Sequence, residues 1–125
     1  MGVRVAQIMA RRVVFTEPEH EIGHVRELLA RHHIHALPVV GAHKKVVGIV
    51  TSADLARRWA DHTPVKRAMT TIVQTVKATA EASEAARIMR KHRIHHVVVI
   101  DQAKVVGIVS SMDLLVLVEK QNHSW

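Results

Sequence analysis

The sequence predicts an α/β fold made of two tandem, pseudo-symmetric β-α-β-β-α units packed as one module. Three observations predict it. The first is an internal repeat: "RHHIHALPVV" at 31–40 aligns with "KHRIHHVVVI" at 91–100, and "KVVGIVTSADL" at 45–55 with "KVVGIVSSMDL" at 104–114. The second is hydrophobic period, which switches between short β-branched runs and helical spacing. The third is composition: 125 residues, 48% hydrophobic and 23% charged, without cysteine. That describes a folded globular chain with no disulfides and no thiolate chemistry.

The repeat register carries the elements in order. In the first copy "VVF" at 13–15 reads as a short strand, and "TEPE" after it as a helix start. Ile22, Val25, Leu28 and Leu29 are helically spaced, which predicts a helix over about Glu19 to His32. "ALPVV" at 36–40 and "KVVGIV" at 45–50 predict a hairpin. Ser52 can then cap a helix carrying "ADLARRWA". The second copy predicts a strand in "IVQTV" at 72–76 and a helix over about 80–92. Strands at 96–100 and 104–110 follow, with a helix from Ser111. Residues 3–60 form the first unit in this reading, 61–67 a linker and 68–121 the second unit. A copy of this size is marginal alone, so the two are expected to share a core.

The formal charge of +7 fits nucleic acid, an anionic surface or a phosphorylated small ligand. Eleven further histidines add positive charge as pH falls, because histidine titrates near neutrality as a residue type. Phe15, Trp59 and Trp125 are the aromatic residues, too few for stacking platforms on single-stranded nucleic acid. Nucleic acid is therefore an alternative partner, not the favoured one. The apolar runs are too short to span a bilayer, and charges interrupt the N-terminal stretch where a signal peptide would be apolar. A cytoplasmic location without membrane insertion is the expectation.

"HEIGH" at 20–24 has the form H-E-x-x-H, in which His20 and His24 would hold zinc and Glu21 would activate water. At about 100° per residue, both histidines fall opposite Ile22, Val25 and Leu29, so they face outward. The matching stretch of the second copy is "AEASE", which keeps the glutamate alone. Zinc hydrolysis is thus an unfavoured alternative, and no enzyme activity or metal is expected.

The recurring chemical signal is "GIVTSAD" at 48–54 and "GIVSSMD" at 107–113. A hydroxyl residue, Thr51 or Ser110, stands where a strand ends and a helix begins. Free N–H groups and the positive dipole end attract phosphate there. Asp54 or Asp113, in the first helical turn, can accept hydrogen bonds from a ribose diol. Plain helix capping accounts for the same residues equally well.

These two copies resemble a pair of cystathionine-β-synthase domains (CBS domains), or Bateman module. "IHALPVV" with "VVGIVTSADL" and "IHHVVVI" with "VVGIVSSMDL" carry the resemblance, together with "IM" at 8–9 and "AM" at 68–69. It spans roughly residues 3–119. The resemblance implies a non-catalytic regulatory module that binds an adenosine-containing ligand (AMP, ADP, ATP or S-adenosylmethionine) in interdomain clefts and signals occupancy to a protein effector. No cofactor is required. It also implies a homodimer through the helices, for which "DLLVLV" at 113–118 offers apolar surface. Carried across residue by residue, Asp54 and Asp113 hold ribose, and Thr51 and Ser110 touch phosphate or ribose. His35 and His95 match histidines that bind phosphate in a family member. Ala36 departs from the basic residue that follows there, and His96 keeps it. The segment Ile34–Pro38 packs on adenine, as does Ile94–Val98, where Val98 replaces the proline. Val13, Val14, Ile72 and Val73 line the adenine pockets. The histidine-rich turns, with Arg93 as a fixed cation, read as a phosphate clamp, a metal or pH site, or solvated helix ends.

Overall fold

The computed structural model describes residues 2–121. Its elements are α1 (Val5–Ile8), α2 (Ile22–His32), β1 (Ala36–Val40), β2 (Val46–Thr51), α3 (Ser52–Leu55), β3 (Thr75–Lys77), α4 (Ala82–His92), β4 (His96–Asp101), β5 (Lys104–Ser110) and α5 (Ser111–Gln121). β1 and β2 form an antiparallel pair, and a second sheet has the order β3-β4-β5 with β3 parallel to β4. The mixed α/β class and the repeat are as expected.

The compact units cut across the sequence copies. One comprises Val13–Val73 with Ala103–Val105; the other holds the chain up to Arg12, Gln74–Gln102, and the chain from Val106 onward. Each unit therefore joins the body of one copy to the leading segment of the other. Residues 61–67, expected as a linker, belong to the first of these units.

Backbone hydrogen bonds explain the exchange. The first N–H groups of any helix lack partners within it. In α2, Ile22 N–H donates to the Thr63 carbonyl at 2.8 Å and Gly23 N–H to the Asp61 carbonyl at 2.8 Å. In α4, Ala82 N–H donates to the Val3 carbonyl at 2.7 Å. Neither helix has a side-chain cap at its N-terminal residue, Glu21 or Glu81. The leading segment supplies the cap instead. The helices accordingly begin at Ile22 and Ala82, slightly later than expected, and Thr16 and Pro18 lie before the helix. Gly23, which costs helix propensity, permits a close approach: a Cβ there would lie 3.0 Å from the Asp61 Cβ.

Each leading segment is also held to its unit's last strand. Ala10 and Ile108 exchange two backbone hydrogen bonds of 2.9 and 3.3 Å; Thr70 and Ile49 exchange two of 2.8 and 2.9 Å. The neighbouring methionine lies on a strand glycine. A Cβ at Gly107 would stand 2.5 Å from Met9 Sδ, and one at Gly48 would stand 2.5 Å from Met69 Sδ.

The expected strands at 13–15 and 72–76 need correction. Residues 13–15 form no strand, and the first copy keeps a single parallel bridge, Thr16 to Val39. In the second copy the strand starts at Thr75. Two prolines account for the difference between copies. Val98 N–H donates to the Gln74 carbonyl at 3.2 Å and Ala78 N–H to the Ile100 carbonyl at 3.2 Å. The equivalent positions in the first copy are Pro38 and Pro18, which have no N–H to donate.

Two cores result. Ile22, Val25, Leu29, Leu37, Val39, Val50, Leu55 and Val65 make one; Val5, Val76, Ala85, Met89, Val97, Val99 and Val109 make the other. The face of α2 expected to be buried is buried. Full burial of each Val, Leu, Ile or Met side chain contributes about 1.5–3 kcal/mol, and Val65 and Val5 bring that contribution from the leading segments.

The exit helices differ in length, and in the first copy side chains take the carbonyls that a longer helix would use: Trp59 Nε1 donates to the Asp54 carbonyl at 3.1 Å. The Arg26 guanidinium donates to the carbonyls of Leu55 at 3.1 Å, Trp59 at 3.3 Å and Arg57 at 3.4 Å, and to Asp61 Oδ1 at 3.0 Å. Those carbonyls would otherwise accept from amides further along a helix, so α3 ends at Leu55. The matching residue of the second copy is Ala86, and α5 continues to Gln121.

Gly107→Ala should lower stability by about 1–3 kcal/mol, because its methyl group and the Met9 sulfur need the same space. Met9→Ala creates a void and should also destabilise. In urea melts the double variant should be more stable than the sum of the two losses predicts. Strict additivity would show that the contact exerts no steric force.

Candidate functional site

The strand-end turns are built identically in the two copies. Thr51 is the N-terminal cap of α3: Asp54 N–H donates to Thr51 Oγ1 at 3.2 Å, and Thr51 N–H donates to Asp54 Oδ2 at 2.9 Å. At α5, Asp113 N–H donates to Ser110 Oγ at 3.2 Å, and Ser110 N–H donates to Asp113 Oδ2 at 2.8 Å. Both are reciprocal capping boxes. The cap is thus Thr51, one residue before the expected Ser52. Each box uses one carboxylate oxygen, Oδ2; Oδ1 takes no part in it. All four residues are half-buried. A carboxylate in this setting is fixed in orientation and retains an acceptor for a second partner.

Ser52 and Ser111 have another task. The Ser52 N–H donates to the His35 carbonyl at 2.8 Å and the Ser111 N–H to the His95 carbonyl at 2.9 Å. Each serine hydroxyl also lies 3.4 Å from Nδ1 of the same histidine. His35 and His95 are thereby tied beside the turn, with their rings exposed. Spacing alone gave no sign of these serine–histidine pairs, which join residues 17 and 16 positions apart. Repetition of Ser52 as Ser111 in the sequence was the available signal.

Two helix ends are followed by a basic residue type in a left-handed conformation. His33 follows α2 with φ 53° and ψ 44°, and Arg93 follows α4 with φ 54° and ψ 48°. Glycine is favoured there, and a side chain costs about 1 kcal/mol. A 480 Å³ hollow beside the first turn is lined in part by Arg26, His33, His35 and Ser52. Of the expected adenine contacts, Ala36, Pro38 and Val98 are buried in strands, and His96 is half-buried in β4. Val13, Val14 and Val73 are half-buried, whereas Ile72 is 80% exposed.

HEIGH is not one continuous helical stretch. His20 precedes α2, its backbone carbonyl accepts from Val65 N–H at 2.8 Å, and its Nδ1 lies 2.9 Å from Thr16 Oγ1. Its ring meets that of His24 edge-on at 5.6 Å. Among the described residues, no group of three or more His, Asp or Glu side chains is arranged to hold a metal ion.

The model of the CBS domain family matches residues 5–61 and 65–120. The chain belongs to the CBS domain family. A CBS domain pair of protein MJ0100, solved with 5′-methylthioadenosine and S-adenosyl-L-methionine, is 30% identical. It superposes with a TM-score of 0.88 over 98% of this chain and 100% of that one. An uncharacterized 17.7 kDa protein of Acidianus ambivalens is 30% identical over 91% of this chain and 72% of its own length. The L-aspartate semialdehyde sulfurtransferase of Methanocaldococcus jannaschii is 33% identical over 88% of this CBS pair, which spans 22% of that protein. Among the described residues, no helix is long and apolar enough to cross a membrane.

Thr51→Ala and Ser110→Ala each delete one arm of a capping box and should each cost about 1 kcal/mol in urea denaturation. An unchanged midpoint in both would mean that the boxes contribute nothing to the helix starts.

Proposed function

We propose that this CBS pair is a non-catalytic sensor of an adenosine-containing ligand: AMP, ADP, ATP or S-adenosylmethionine. The observation that carries the proposal is the duplicated strand-end turn, whose Asp54 and Asp113 are fixed through Oδ2 with Oδ1 outside the box. In this reading each Oδ1 accepts from a ribose hydroxyl. Thr51 and Ser110 add a contact to ribose or phosphate. His35, His95, His96 and Arg93 meet the phosphates or another polar extension of the ligand. Ala36, Pro38, Val13, Val14, Val98, Ile72 and Val73 are the proposed adenine contacts. The bound adenosine compounds of the MJ0100 pair support this ligand class.

The two sites are unequal in this reading. Pro38 has no N–H to donate to the Val14 carbonyl, whereas Val98 N–H engages the Gln74 carbonyl. Val14 therefore keeps an acceptor for the adenine amino group. Both copies keep a non-glycine residue in the left-handed position after α2 or α4, and in the second it is Arg93, a permanent cation suited to phosphate.

Occupancy would be passed to a protein effector by a cytoplasmic homodimer. The dimer face proposed is α5, whose Met112, Leu115, Val116 and Val118 are exposed. Nucleic-acid binding remains the second reading, carried by the net charge of +7. Its binding would weaken steeply with salt.

Calorimetry with AMP, ATP and S-adenosylmethionine tests the proposal. At least one should bind, and Asp54→Asn with Asp113→Asn should weaken it about tenfold or more. Asparagine keeps a carbonyl oxygen for the box, so the urea midpoint should barely move. Failure of all three ligands, or undiminished binding by the double variant, would overturn the reading.

Arg93→Gly should raise the melting temperature, by relieving about 1 kcal/mol of backbone strain, while weakening phosphorylated ligands more than adenosine. Equal affinity for AMP in wild type and variant would remove Arg93 from the site.

A further inference from the structure

Met9 and Met69 occupy equivalent and unusual positions. Each follows a helical turn of a leading segment, Val5–Ile8 or Val65–Arg67, and precedes the residue that pairs with the last strand. Each presses its Sδ onto a strand glycine. A backbone carbonyl faces the same glycine: a Cβ at Gly107 would stand 3.1 Å from the Ala10 oxygen, and one at Gly48 would stand 3.1 Å from the Thr70 oxygen. Both methionines are nevertheless half-buried and not sealed in the core.

That seat suits a thioether and not a sulfoxide. Sulfur in a thioether is apolar and soft enough to lie against a glycine Cα. A sulfoxide adds an oxygen that accepts hydrogen bonds, and the glycine side of the sulfur offers it another acceptor. Oxidation therefore turns an apolar contact into a polar mismatch and weakens it.

We propose that Met9 and Met69 are paired oxidation sites at which a peroxide releases the leading segments. In the reaction the sulfur lone pair attacks one peroxide oxygen, and the O–O bond breaks as the S–O bond forms. The second oxygen takes up the proton and leaves as water when the oxidant is hydrogen peroxide. Sulfur loses two electrons and the peroxide gains them. A thiol-dependent methionine sulfoxide reductase can reverse the change.

Release at Met9 frees the Ala10–Ile108 bridge, and release at Met69 frees the Thr70–Ile49 bridge. Val13–Val14 and Ile72–Val73 follow those bridges in the chain. Loss of adenosine-ligand affinity on oxidation would therefore follow, a consequence that rests on the proposed function; the latch itself does not.

The test uses the full chain, dilute hydrogen peroxide and no nucleotide, so it stands whether or not the ligand reading does. Peptide mass spectrometry resolves which methionines oxidise. Met89, 6% exposed, should resist. When Met9 and Met69 oxidise, hydrogen exchange at the amides of Ala10, Ile108, Ile49 and Thr70 should accelerate about tenfold or more. Reductase treatment should restore protection. Met9→Leu with Met69→Leu should keep the fold and lose the peroxide response, since Leu and Met have similar volumes. Resistance of both sulfurs to peroxide would overturn the proposal. Unchanged exchange after their oxidation would do so too, on wild type alone, even if the leucine variant fails to fold.

Discussion

Most of this structure depends on one arrangement of backbone groups. The opening N–H groups of α2 and α4 have no side-chain cap, and each finds carbonyl oxygens in a leading segment from the other copy. Unpaired buried N–H groups are costly, so neither copy can close its unit with its own body alone. The exchange follows. Once Thr63 and Val3 sit on their helices, Val65 and Val5 are delivered to the cores, and Met69 and Met9 reach the strand glycines. The strands so fixed end in the turns that carry Thr51–Asp54 and Ser110–Asp113.

The turns themselves combine stability and availability. A capping box saturates two backbone donors and aligns an aspartate, yet it occupies one carboxylate oxygen of two. Side chains that hold a helix end are restrained before any partner arrives, and such restraint lowers the entropy lost on association.

Divergence between the copies is concentrated in a few residues with large backbone effects. Pro18 and Pro38 remove donors from the first copy, reducing a three-residue strand to a bridge. Arg26 and Trp59 take carbonyls where α3 ends after one turn; with alanine matching Arg26, α5 is long and partly apolar on its exposed side. Duplication supplied two equal frames, and these substitutions make the frames structurally distinct.

The sequence by itself determined the repeat, the α/β class, the hairpins, the buried face of α2 and the hydroxyl–aspartate pairs. All of these are local or periodic: side-chain spacing along the chain dictates them. It misplaced the strand at 13–15, because β-branched residues favour extended backbone but a strand also needs a partner with free donors. It could not show that residues 61–67 complete a unit, that His35 pairs with Ser52, or that Met9 meets Gly107. Those contacts join residues far apart in the chain, and only the tertiary structure decides which backbone reaches an uncapped helix. HEIGH shows the same limit: the pattern is legible, but the turn at Thr16–His20 takes the first histidine out of the helix and gives its ring to a buried threonine.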